Sequence, residues 1–219
     1  MRIQMTRAGL VLTLILALAA CQAPGLSQQS RPETVATVAL QPGDVAGLHR
    51  CGESGPLDSV LQAERTGNPM AYDLNATEWA QWRRQGALDA YYVVYGRTTT
   101  DCASLTEAGT GAPEGGLMAG LVVRFQNESI ASRNFKLGST LFGFGPRDLA
   151  FVRLSGGSVT VGSPTGLGVD SAIGRASVPG ATYYFAFWQK KIFSSYLVAY
   201  DVASADADTA TTSVNQRIQ

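Results

Sequence analysis

The chain has 219 residues, with 17 Lys and Arg against 17 Asp and Glu and one His, so its formal net charge is zero. It carries no basic tract, which excludes a nucleic-acid footprint, and no acidic tail. Gly is abundant (24) and charged residues make up only 16%, a composition that suits a β-containing domain rich in turns.

The first segment is the most informative. Arg2 and Arg7 form a short basic region, Leu10 to Leu18 is almost wholly apolar, and Leu18-Ala19-Ala20-Cys21 closes it with small residues and a cysteine. The apolar stretch is about a dozen residues, too short to span a bilayer core of roughly 30 Å, and fits an export signal instead. The L-A-A-C box resembles the lipobox of bacterial lipoproteins. That resemblance implies a signal peptide over residues 1–20, cleavage before Cys21 and diacylation of its thiol with palmitate-type chains. It places the protein at the cell membrane, facing periplasm or exterior, with the membrane itself as partner. No Asp follows Cys21. In a diderm that absence points to the outer membrane.

Two cysteines remain, Cys51 and Cys102. An even pair in an oxidising compartment reads as a disulfide. It would close a loop of about 50 residues and contribute about 4 kcal/mol through the unfolded state.

Residues 21–45, rich in Gln, Ser, Pro, Ala and Val, read as a flexible tether, with a single α+β domain over 46–219. Ser54-Gly55-Pro56 starts a helix over 56–66, which Gly67-Asn68-Pro69 ends. A second helix is expected over 77–85, capped by Thr77, with Trp79 and Trp82 on one face. A strand follows over 87–97, then a Gly-, Ala- and Thr-rich loop over 103–116 and a strand over 117–125. Asn127 caps a helix over 127–137 that Gly138 stops, and a short helix runs through Leu149, Val152 and Arg153. Strands are expected over 158–161, 170–178, 182–189 and 192–201, and Asp206 caps a last helix over 206–217. The fold class is therefore α+β, an antiparallel sheet backed by helices. Segments 87–137 and 182–217 each read as ββα, which suggests two halves.

No catalytic signature is present. Gly162-Ser163-Pro164-Thr165-Gly166 has its Ser in the wrong place for a nucleophile elbow, and His49 is the only histidine available to a triad. Gly166-Leu167-Gly168 lacks the third glycine and the helix of a phosphate loop. Asp206 and Asp208 lack the distal ligands of a calcium loop, so neither metal nor cofactor is indicated. No pair of carboxylates is singled out for hydrolysis.

One feature rises above this background. Of 3 Trp, 8 Tyr and 8 Phe, eight fall between Tyr183 and Tyr200. Tyr183, Phe185 and Phe187 share one face of their strand, and Tyr184, Ala186 and Trp188 share the other. Two apolar faces mean burial between layers, a wall of a hydrophobic cavity, or an exposed partner surface. If a cavity, Tyr183, Phe185, Phe187, Trp188 and Tyr196 are its candidate lining, and an apolar small molecule or lipid its occupant.

Residues Thr165 to Ile218 resemble the end of actinobacterial lipoproteins and receptor-kinase sensor domains of the Mog1/PsbP group. The likeness rests on Thr165-Gly166-Leu167-Gly168, a strand with Ala172, Phe187-Trp188, a further strand and a closing amphipathic helix. It implies an antiparallel sheet backed by helices and a non-enzymatic binding module. The expected function is that of a lipid-anchored, extracytoplasmic binding lipoprotein without catalytic activity. A carrier of lipid or another hydrophobe, a hydrolase with a non-sequential active site and a partner-docking lipoprotein are the alternatives.

Overall fold

The computed structural model describes residues 33–103, 115–138, 140–143, 145 and 149–219. Glu33–Gln219 forms one compact α+β unit. Eight strands make one antiparallel sheet: β1 (His49–Arg50), β2 (Gly55–Pro56), β3 (Ala87–Gly96), β4 (Leu117–Phe125), β5 (Ser158–Val161), β6 (Ser171–Val178), β7 (Ala181–Lys190) and β8 (Phe193–Tyr200). Their order is β1-β3-β4-β8-β7-β6-β5, with β2 beside β1 on the same edge of β3.

The sheet is apolar on both faces, and helices cover both. On the first face lie Val93 and Tyr95 of β3, Met118 and Val122 of β4, Tyr184, Ala186 and Trp188 of β7, and Leu197 of β8. Two helices lie over it: α1 (Val35–Val38) and α7 (Ser204–Arg217), whose Ala207, Ala210, Val214 and Ile218 form the buried stripe. On the second face lie Tyr92 and Val94, Leu121 and Val123, Phe187 and Tyr196. Its cover comes from α2 (Leu57–Gly67), α3 (Pro69–Arg84), α5 (Glu128–Leu137) and α6 (Leu149–Leu154). A short helix α4 (Thr99–Ala103) follows β3, started by Thr98 and Asp101 bonding each other's backbone N–H.

Most elements form where local chemistry directs. Asn127 accepts from the Ile130 N–H at 3.0 Å, and Gly138 ends α5 in the left-handed region at φ 63°, as expected. β7 and β8 are central, flanked by β6 and β4, with α7 over one face and α5 over the other. Both ββα segments are present, β3-β4-α5 and β7-β8-α7. Their helices lie on opposite faces, so they are not copies of one arrangement.

Three expectations need correction. The second helix starts at Pro69 rather than Thr77, because Asn68 accepts from the Ala71 N–H at 3.2 Å and Pro69 occupies the first helical position. Thr77 lies inside that helix and bonds back to the Asp73 carbonyl at 2.7 Å. Helix α7 starts at Ser204, with Asp206 in its first turn rather than at its cap.

The third correction concerns the tether. Residues 33–45 belong to the folded unit, and residues 1–32, with Cys21, lie outside the described residues. Thr34 and Thr37 cap α1 reciprocally, at 3.2 and 3.0 Å, which turns Val35 and Val38 inward together. Leu40 then sits on β4 where Gly120 leaves room: a Cβ at Gly120 would stand 2.8 Å from the Leu40 Cδ1. The Tyr95 hydroxyl donates to the Leu40 carbonyl at 3.3 Å. Arg217 closes the arrangement, donating to the Ala39 carbonyl at 3.0 Å and pairing with Asp44, whose side chain is only 7% exposed.

Arg217 therefore holds both ends of the folded unit. Arg217→Ala leaves the Asp44 carboxylate buried and uncompensated, and should lower stability by about 3 kcal/mol. Urea unfolding measures this; a loss below about 1 kcal/mol would show that the 33–45 segment is held by its apolar contacts alone.

A candidate ligand cleft beside the disulfide

The site begins with an irregular edge. Arg50 pairs with Tyr95 and Gly55 with Tyr92, so the four residues 51–54 stand opposite only Val93 and Val94. The surplus is pushed out as a bulge. Ser54 ties its far side, accepting from the Val94 N–H at 2.9 Å and donating to the Val94 carbonyl at 3.2 Å. Its near side is held by the Cys51 N–H on the same carbonyl, at 2.9 Å, and by the Cys51–Cys102 disulfide, with a Cα separation of 5.5 Å. The expected disulfide is thus present, and it fastens the bulge to α4.

The bulge forms one wall of a cleft of about 570 Å³ over the second face of β3. Val60 and Ala63 of α2, Ala71 and Leu74 of α3, and Tyr92 of β3 supply most of its apolar surface. Phe142 closes one side, its ring stacked on Tyr92 at 4.6 Å between centroids. Phe142 holds φ 55°, a left-handed conformation unfavourable for an aromatic residue, and the stacking offsets that local cost.

Two carboxylates enter this surface, Glu53 from the bulge and Glu64 from α2. Asn75 of α3, itself buried, donates to both Glu64 oxygens at 3.1 Å. Burial pushes the Glu64 carboxyl above its ordinary value, and the Asn75 bond partly offsets this. Glu53 has one oxygen fully buried with no hydrogen-bond partner among the described residues. Tyr92 senses both acids: burial first, then the charges of Glu64 and Glu53, hold its phenol well above the usual range.

A smaller pocket of about 240 Å³ lies on the first face and differs in kind. Arg175 pairs there with Asp208 at 2.5 Å, and the Tyr184 hydroxyl donates to the same carboxylate at 2.9 Å. Its charges satisfy one another. The large cleft contains acids without bases.

The aromatic residues singled out in the sequence lie elsewhere. Tyr183, Phe185, Phe187 and Tyr196 point to the second face, whereas Trp188 points to the first, beneath α7. Phe187 and Tyr196 are packed under Trp82 of α3, with Trp82 and Tyr196 5.7 Å apart. Tyr183 and Phe185 are half-buried, and Tyr183 meets Phe151 of α6 at 5.9 Å. The five do not line a common cavity, and none lines the cleft. His49 lies on β1 at the sheet edge, exposed. The residues that sequence reasoning missed are Glu53, Glu64 and Asn75. Their only sequence signal was acids placed beside short helices, which solvated surface residues share.

Comparison with known proteins returns no match: no family model, no curated protein and no solved structure is similar to the chain. The Mog1/PsbP likeness of Thr165–Ile218 therefore stands on its sequence motif alone.

The desolvated Glu64 makes a signed prediction. Its folded pKa lies above its unfolded value, so the folded state binds the extra proton and stability is lost as pH rises through that interval. Glu64→Gln keeps an oxygen for Asn75 and removes the charge. It should be more stable than the wild type at pH 7, and the two should converge near pH 4. Equal stability at both values would remove the desolvation argument.

Proposed function

We propose that this protein is an extracytoplasmic lipoprotein, anchored by acyl chains on Cys21, that binds an apolar small molecule in the cleft over β3. The cleft carries the reading: its volume lies within the range of small-ligand sites, and mostly apolar walls with a few convergent polar groups are the usual composition of such sites. A disulfide at the rim suits the oxidising compartment that the lipobox implies. Among the described residues no helix is long and apolar enough to cross a membrane. Eleven residues separate Cys21 from Glu33, a span of at most about 40 Å, so an anchored domain stays close to the bilayer surface.

Binding without turnover is the role this wall favours. Ser54, the hydroxyl nearest the bulge, is committed on both sides to Val94, and Glu64 is held by Asn75. Both groups are thereby held in place for recognition.

Two experiments test the reading. A neutral hydrophobic fluorophore, N-phenyl-1-naphthylamine, should bind the purified protein with saturable enhancement. Ala63→Trp, which fills the cleft from an exposed helical position, should reduce that affinity at least about tenfold at unchanged stability. Unchanged binding in Ala63→Trp would place the ligand site elsewhere. Separately, Cys21→Ser should release the protein into the soluble fraction or stall it uncleaved, because acyl chains supply the membrane affinity. A processed variant that remains membrane-bound like the wild type would refute the anchor.

A further inference from the structure

Resting on the reading of the cleft as a ligand site, we propose that its ligand is an organic cation, a protonated or quaternary amine carried on an apolar body. The reason is an imbalance of charge. Glu53 and Glu64 both line the cleft, and none of the described residues lining it is Lys, Arg or His. One Glu53 oxygen is buried with no hydrogen-bond partner among the described residues. Among the described residues Glu64 has a single side-chain donor, the Asn75 amide, shared between its two oxygens at 3.1 Å. Carboxylates set in an apolar wall are costly unless a positive charge compensates them. The smaller pocket shows how this fold settles such a charge internally, with Arg175 on Asp208. In the cleft the described lining offers no such base, and a cationic ligand would supply the compensating charge.

The character of that cation follows from the walls. A compact metal ion needs a dense set of ligands, and among the described residues no three His, Cys, Asp or Glu are grouped to hold one. The wall is instead mainly aliphatic and aromatic. An alkylammonium or quaternary ammonium is weakly hydrated and carries its own apolar surface. Tyr92 and Phe142, stacked on one another, add two aromatic rings to that wall. Leu74 and Met70, four residues apart on α3 and both exposed, extend the apolar surface past Leu74 at the rim, where a ligand body longer than the cleft would rest. An anionic ligand would meet two like charges and no donor cation.

The test uses three probes of one shape: a naphthyl ring linked to trimethylammonium, to its neutral tert-butyl isostere, and to a carboxylate. Isothermal titration of each into the purified protein should rank ammonium above neutral above carboxylate, with the ammonium favoured about tenfold over its isostere. Glu53→Gln and Glu64→Gln should each erode that preference. The double variant should abolish it, so that ammonium and neutral isostere bind alike. Thermal unfolding identifies any variant that has lost its fold, and the ranking in the wild type tests the proposal independently of the variants. Equal affinity for ammonium and isostere, or a preference that survives in the folded double variant, would overturn the cation assignment and leave the cleft as an apolar site. Failure of all three probes to bind would overturn both.

Discussion

The structure depends on one constraint: the central strands are apolar on both faces. β4, β8 and β7 present a hydrophobic row to each side, with Met118, Leu197 and Trp188 on one and Leu121, Tyr196 and Phe187 on the other. Burying a large apolar side chain stabilises by roughly 1.5–3 kcal/mol, so neither face can be left to water. Helices must therefore lie on both sides. One side is served by α7 and by α1, which explains why residues 33–45 are folded in: without α1 and Leu40, the β3-β4 part of that face would be bare. Arg217 fastens this cover by joining the last helix to the Val38–Asp44 segment.

The other face is covered by α2, α3, α5 and α6, and the cover is incomplete at one place. Over Tyr92 and Val94, the cleft opens between the bulge, α2 and α3. The surplus residues between β1 and β2 carry Glu53 into that gap, and the disulfide and Ser54 hold the bulge against β3. The disulfide thus serves position as well as stability. It anchors the element that brings one of the two acids to the site. The second acid comes on α2 and is set by Asn75 across the α2–α3 contact. A backbone irregularity, a left-handed Phe142 and a desolvated acid meet in one cleft. Such local departures from the easiest structure concentrate where a protein meets a ligand.

Much of the fold was legible in the sequence because it is locally encoded. Strand β4 was expected and found over 117–125, Asn127 and Gly138 bound α5, and of the readings left open by the double apolar alternation of 182–189 the structure shows burial between layers. Trp79 and Trp82 were rightly placed on one buried face of a helix. What escaped was decided by tertiary contact. The 33–45 segment forms only one α-helix, the four residues Val35–Val38, and its Val35, Val38 and Leu40 are buried by packing against β3, β4 and α7. Asn68-Pro69 reads equally as the end of one helix or the start of the next, and it is both. The site escaped for a deeper reason. The aromatic hairpin advertised hydrophobicity, and hydrophobicity marks the core first; Phe187 and Tyr196 are buried there. Glu53, Glu64 and Asn75 are ordinary residues in sequence and become a site only through a bulge, two helices and a gap.

We propose the cleft over β3 as the place where this protein holds a small molecule. Native mass spectrometry of protein purified from its native source tests this most directly, with the wild type and Ala63→Trp compared side by side. A small molecule should be retained by the wild type, dissociate as a cation, and be absent from Ala63→Trp. A molecule retained equally by both proteins would contradict it.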